Sequence, residues 1–146
     1  MNPNQGESAQ GYVSDPRNDD VLVYVNGDLF PRHEARISVF DSGFVLGDGV
    51  WEGLRLVQGT LISLNAHLDR LFEGAKSIAL DIGMSREQLT QAIRDTLARN
   101  AMVDGAHIRL MVTRGVKRTP NQDPRFVIGG ATIVIVAEFK TPKPEA

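Results

Sequence analysis

Between Asp41 and Val57 a turn broken by Gly43, Gly47 and Gly49 runs directly into an alternating segment. The glycines admit left-handed backbone and close approach of another chain segment, which a Cβ would resist. Beyond them the period is two, so the segment is a strand. Its alternation separates Trp51, Gly53 and Arg55 on one face from Glu52, Leu54 and Leu56 on the other. The second face suits a core. An aromatic ring, a bare backbone and a cation side by side suit a site better than packing, although an indole is most often buried. Gly47 and Gly49 lack the third glycine and the following helix of a dinucleotide-binding fingerprint, and that reading is rejected.

Alternation and turn signals organise the rest of the chain into an α+β domain, with a mostly antiparallel sheet and two helices packed on one face. Val21 to Val25 and Asp28 to Phe30 flank Asn26-Gly27 as a hairpin ended by Pro31. Arg36 to Phe40 is predicted as a third strand. Gln58-Gly59 turns the strand Val50 to Val57 back into Thr60 to Leu64. Asn65 is the expected N-cap of a helix with its apolar stripe at Leu68, Leu71, Phe72, Ala75, Ile78 and Ala79. Arg70 lies away from that stripe, beside Glu73 and Gly74, and a glycine one turn on suggests that something packs close there. Ser85 and Gln88 form a capping box for a second helix, with its stripe at Leu89, Ala92, Ile93 and Leu97 and its end near Asn100.

Ala106 to Arg114 alternates again, with His107, Arg109, Met111 and Thr113 on one face. Gly115 to Arg125 reads as a polar loop. Ala131 to Phe139 is nearly continuous in apolar and β-branched residues, the pattern of a central strand covered on both faces. Residues 1–20 form a polar arm with little to bury, and 140–146 read as a linker, leaving 21–139 as the domain.

Composition narrows the function. The 146 residues carry 16 basic and 18 acidic side chains, a net charge of −2, with no basic block to track a nucleic acid backbone. Cysteine is absent, which removes disulfides and thiolate metal sites. His33 and His67 have no partners at metal-binding spacing and read as ordinary polar residues. No segment reaches membrane-spanning length and no apolar leader opens the chain, so a soluble cytoplasmic protein is expected. Read alone, Arg70 is a solvated helix residue paired with Glu73. Arg109, a cation in mid-strand, needs a carboxylate, a phosphate or a wet cleft, unless an edge strand leaves its face solvated. Arg114, Lys117 and Arg118 fit either a solvated turn or a lid that recruits an anion. None of the lysines sits in an apolar pocket of the kind that activates an amine.

Three motifs, Gly47-Asp48-Gly49-Val50-Trp51-Glu52-Gly53-Leu54-Arg55, Asn65-Ala66-His67-Leu68-Asp69-Arg70-Leu71 and Ile108-Arg109-Leu110-Met111-Val112-Thr113-Arg114-Gly115, resemble the class IV aminotransferases, the fold type IV pyridoxal-phosphate enzymes. That family includes branched-chain, D-amino-acid and (R)-amine transaminases and aminodeoxychorismate lyase. The likeness runs from about Val21 to Phe139 and covers the family's N-terminal domain. It implies pyridoxal 5′-phosphate as cofactor, with Arg70 on its phosphate, and a substrate pocket formed by Trp51, Gly53 and Arg109. Leu46 and His107 stand where branched-chain enzymes carry tyrosines, and Arg118 is a partial equivalent of a D-amino-acid carboxylate trap. It further implies amino transfer between an amino acid or amine and a 2-oxo acid, a C-terminal domain of the same protein, and a homodimer. The Schiff-base lysine and the glutamate at the pyridine nitrogen are expected beyond Ala146, so residues 1–146 alone should not turn over. A lyase of the same family, or a non-enzymatic relic that only folds and dimerises, are the competing readings.

Overall fold

Sheet formation follows the alternation. A computed structural model describes residues 14–141. The strands are β1 (Leu22–Val25), β2 (Asp28–Pro31), β3 (Gly49–Val57), β4 (Thr60–Leu61), β5 (Ala106–Thr113), β6 (Val116–Lys117), β7 (Val127–Ile128) and β8 (Thr132–Phe139). Six of them form one sheet in the order β2-β1-β8-β5-β3-β4, and every pairing in it is antiparallel. The hairpin β6-β7 stands apart from it. Helices α2 (Leu64–Ser77) and α3 (Arg86–Arg99) cover one face, α2 along β3 and α3 along β1 and β8.

Between helices and sheet lies a single apolar cluster. Leu54, Leu56, Ile108, Leu110, Val112, Ile133, Ile135 and Ala137 meet Leu68, Leu71, Ala75, Leu89, Ala92, Ile93 and Leu97 there. Burying each large side chain is worth about 1.5–3 kcal/mol, the main force setting the helices on this face. Gly74 belongs to the same contact. A Cβ there would sit 3.3 Å from Val50 Cγ1, so the glycine lets α2 approach β3 closely.

Several local expectations are corrected. Arg36 to Phe40 forms no strand, because Ile37, Val39 and Phe40 are exposed with no ladder partner in the sheet. A short helix, α1 (Ser42–Leu46), occupies the glycine stretch; Asp41 caps it and Gly47 ends it at φ +65°. The N-cap of α2 is Ser63, left-handed and with no side-chain cap bond, rather than Asn65. Ile78 and Ala79 fall beyond the end of α2, and β4 is two residues long. The segment 115–125 is not simply a polar loop, since it contains β6, where Lys117 is 1% exposed and donates from Nζ to the Asp123 carbonyl. β8 is central but covered on one face only. Its Val134 and Val136 line an open apolar cleft of about 380 Å³ with Val23, Val25 and Met111.

At the start of the described residues the chain is tied down rather than loose. Pro16–Asp20 is a 3-10 turn, and Asn18 makes a reciprocal amide pair with Phe139, donating from Nδ2 to its carbonyl and accepting from its N–H. Residues 1–13 and 142–146, including most of the predicted linker, lie outside the described part.

Candidate functional site

β3 carries two side-chain clusters, one on each face, because adjacent residues on a strand point in opposite directions. On the helix-facing side Glu52, 4% exposed in its side chain, receives Arg70 Nε on Oε1 at 2.5 Å and Arg70 Nη2 on Oε2 at 2.6 Å. His67 Nδ1 lies 2.8 Å from Oε2. The Arg70 side chain remains 72% exposed. Its hydrogen bonds to Glu52 hold that carboxyl below the usual glutamate value, against the opposing effect of burial and with help from His67. Glu52 in turn raises the guanidinium further above its ordinary value. The expected pairing of Arg70 with Glu73 is thus replaced by one across to the sheet. His67, read as an ordinary polar residue, belongs to this cluster.

The opposite face holds Trp51, Gly53, His107 and Arg109. Gly53 stands opposite Arg109 in the β3-β5 ladder, and Arg55 opposite His107. The Arg109 guanidinium lies over the Trp51 ring, 4.3 Å from its centroid, with the indole 58% exposed. Trp51 is therefore a surface of this face and not core. A Cβ on Gly53 would come to 3.1 Å from His107 Nε2, so the imidazole occupies the space that the glycine leaves. Burial pushes the His107 pKa below the ordinary histidine value, reinforced by the positive charges of Lys140, Arg55 and Arg109 and opposed by Glu138. These effects favour the neutral ring. Arg109 is exposed and, among the described residues, in no salt bridge, so both edges of its planar fork remain open to a carboxylate.

Leu46 ends α1 and is exposed, while Arg118 follows β6 and is bound by its backbone N–H to the Phe126 carbonyl. Neither makes a hydrogen bond or salt bridge with the Trp51 face. Arg70 is separated from that face by β3 itself. Arg114 is neither part of a solvated turn nor of a lid. It is bidentate on Asp48 (2.7 and 3.2 Å) and donates to the carbonyls of Ile78 and Ala79, clasping the glycine stretch to the end of α2. Sequence reasoning placed Glu52 with the core leucines and overlooked its role. The available signal was an acid on an apolar face, which requires a cation, and His67 and Arg70 three residues apart on one helix provide the partners. Among the described residues no group of histidine and carboxylate side chains could hold a metal ion, and no helix is long and apolar enough to cross a membrane.

The family described as Amino-transferase class IV matches residues 49–145, which include β3, α2, α3 and β5. The chain belongs to the class IV aminotransferases. This class IV aminotransferase chain is 45% identical over 127 residues to branched-chain-amino-acid aminotransferase-like protein 1 of Arabidopsis thaliana, covering 87% of the chain and 23% of that protein. It is 42% identical over 115 residues to a putative branched-chain-amino-acid aminotransferase of Methanocaldococcus jannaschii, covering 79% of the chain and 39% of that protein. Among solved structures, the branched-chain aminotransferase of the thermophilic archaeon Thermoproteus uzoniensis with norvaline superposes with a TM-score of 0.66 at 28% identity, over 81% of this chain and 40% of that one. The class IV aminotransferase chain thus spans well under half the length of these relatives, and its fold is that of the N-terminal domain of fold type IV enzymes.

Proposed function

We propose that this chain is the part of a pyridoxal-phosphate-dependent aminotransferase that grips the cofactor phosphate and forms one wall of the substrate pocket. The reaction is transfer of an amino group between an amino acid or amine and a 2-oxo acid. The observation that carries the reading is Arg70, whose exposed guanidinium is anchored by a buried carboxylate yet keeps three N–H donors free. That donor set fits a phosphate. A planar fork offers parallel charge-assisted hydrogen bonds to two phosphate oxygens, which a lysine cannot match.

Pyridoxal 5′-phosphate, when bound, supplies the electron sink that labilises a proton at the substrate Cα. The chain's own residues bind and orient. Arg109, held flat on Trp51, presents its open edges to the substrate carboxylate, and the neutral His107 ring with Gly53 shapes the adjoining wall. Leu46 and Arg118 belong to the same wall in this reading, as residues brought up by the α1 and β6 loops. The covalent lysine, a second domain closing the crevice, a homodimeric assembly and a cytoplasmic location complete it. The open apolar cleft at Val134 and Val136 supports a further packing partner, since apolar surface of this kind is seldom left uncovered.

Calorimetric titration with pyridoxamine 5′-phosphate tests the clamp, because this ligand needs no lysine for binding. Arg70→Ala is expected to lose at least about tenfold in affinity, the scale of one charge-assisted contact, while binding of pyridoxamine without its phosphate stays unchanged. Equal affinity of wild type and variant would count decisively against the proposal. Arg109→Ala should leave that titration alone and raise KM for the amino donor in steady-state assays of the whole enzyme.

A further inference from the structure

The Glu52 carboxylate is an unusual group to find beneath a helix. Its neighbours on that face of β3, Leu54 and Leu56, are core residues, and desolvation there opposes its charge. Both of its oxygens are occupied, Oε1 by Arg70 Nε and Oε2 by Arg70 Nη2 and His67 Nδ1. The guanidinium it holds is largely in solvent. A surface arginine normally samples many rotamers, and an exposed ion pair does little to restrain it. Here the restraint comes from below, through a buried anion that His67, one turn earlier on α2, holds from a second side.

A guanidinium has five N–H bonds in one plane. Glu52 takes Nε–H and one Nη2–H, the side-on edge. What remains is the end-on edge, both Nη1 hydrogens and the second Nη2 hydrogen, directed away from the carboxylate. Binding a phosphate through that edge then requires little further ordering of the side chain.

We infer that Glu52, backed by His67, is a positioning residue that locks Arg70 side-on and thereby aims its free edge at the phosphate of the cofactor. The inference rests on the reading of Arg70 as the phosphate clamp. It makes a prediction of sign. Glu52 carries a negative charge close to where a phosphate dianion would bind, so a purely electrostatic view has Glu52→Gln binding the phosphate more tightly. Positioning has it binding more weakly, because the arginine must then be ordered by the ligand.

The test is titration of wild type, Glu52→Gln and Arg70→Ala with pyridoxamine 5′-phosphate, alongside proton exchange of the Arg70 Nε–H followed by NMR in the ligand-free protein. Glutamine preserves the volume at position 52. The expected result is an affinity loss of about 3- to 10-fold in Glu52→Gln, none for pyridoxamine without its phosphate, and Nε–H exchange that is slow in wild type and fast in the variant. Unchanged or tighter binding in Glu52→Gln overturns the inference and, if Arg70→Ala still weakens binding, leaves the proposed function standing. Equal affinity of wild type and Arg70→Ala removes the proposed function, and the inference with it, even where slow exchange persists. Should Glu52→Gln not fold, the wild-type exchange decides, and a rate matching that of a freely solvated arginine overturns the inference.

Discussion

Gly49 and Gly53 lie on the same strand and the same face, yet different neighbours limit them. A Cβ on Gly49 would stand 2.6 Å from the Val112 carbonyl oxygen, part of the β5 backbone, which can move only with its ladder. Gly49→Ala should therefore cost about 1–3 kcal/mol in urea unfolding. At Gly53 the neighbour is the His107 ring, which can turn aside, so Gly53→Ala should cost less than about 1 kcal/mol while displacing the imidazole chemical shifts. His107 also has a consequence for pH. Its folded pKa is below the unfolded 6.5, so the unfolded chain takes up the proton first as pH falls. Stability is then full above pH 6.5 and declines as pH drops below it, and urea midpoints measured between pH 5 and 8 should lose part of this slope in His107→Gln. Glu52 acts further down. Its folded pKa is lowered from 4.5, so its contribution is present above that value and lost as pH falls through the folded one.

At the level of elements, α3 was legible and α2 only in its middle. The start of α3 is chemical: Ser85 accepts from the Gln88 N–H while the Gln88 side chain accepts from the Ser85 N–H. Ser85→Ala should cost about 1 kcal/mol by thermal or urea unfolding. Beyond its end, Ala101 is left-handed at φ +53° and exposed, so Ala101→Gly should stabilise the chain by roughly 1 kcal/mol. α2 has no such signal at its start, because Ser63 uses no side-chain cap and its left-handed backbone is imposed by the turn from β4. Helix α1 escaped the periodicity argument because five residues span too little of a helical repeat, and its supports are distant in sequence: Ser42 donates from both N and Oγ to the Gly115 carbonyl. The 36–40 segment shows the converse, apolar alternation that finds no ladder in the sheet and stays exposed.

Across the whole molecule, the sheet has one face sealed by helices and one open. Ile135 is fully buried and Val134, next to it, lines the open cleft. Ile135→Ala should cost about 2–5 kcal/mol and Val134→Ala under about 1 kcal/mol, compared in the same urea titrations. Periods of two and 3.6 residues, turn dipeptides and one capping box are properties of neighbouring residues, and they were enough for β1, β2, β3, β5, β8, the middle of both covering helices and the antiparallel sheet, but not for the β6-β7 hairpin, the exposed 36–40 segment or the uncovered face of β8. Family membership was legible for the same reason, since its motifs are short and local. The partners of Arg70 were not. Glu73 was adjacent along the helix and Glu52 remote along the chain, and only the docking of α2 on β3 brings the buried acid beneath the arginine, where low dielectric and desolvation make the pairing decisive. Arg114 on Asp48 and Arg109 over Trp51 likewise depend on distances between segments. A side chain's preferences are written in its own chemistry, but whether a charge is spent inside the fold or left free for a ligand depends on what packing places beside it.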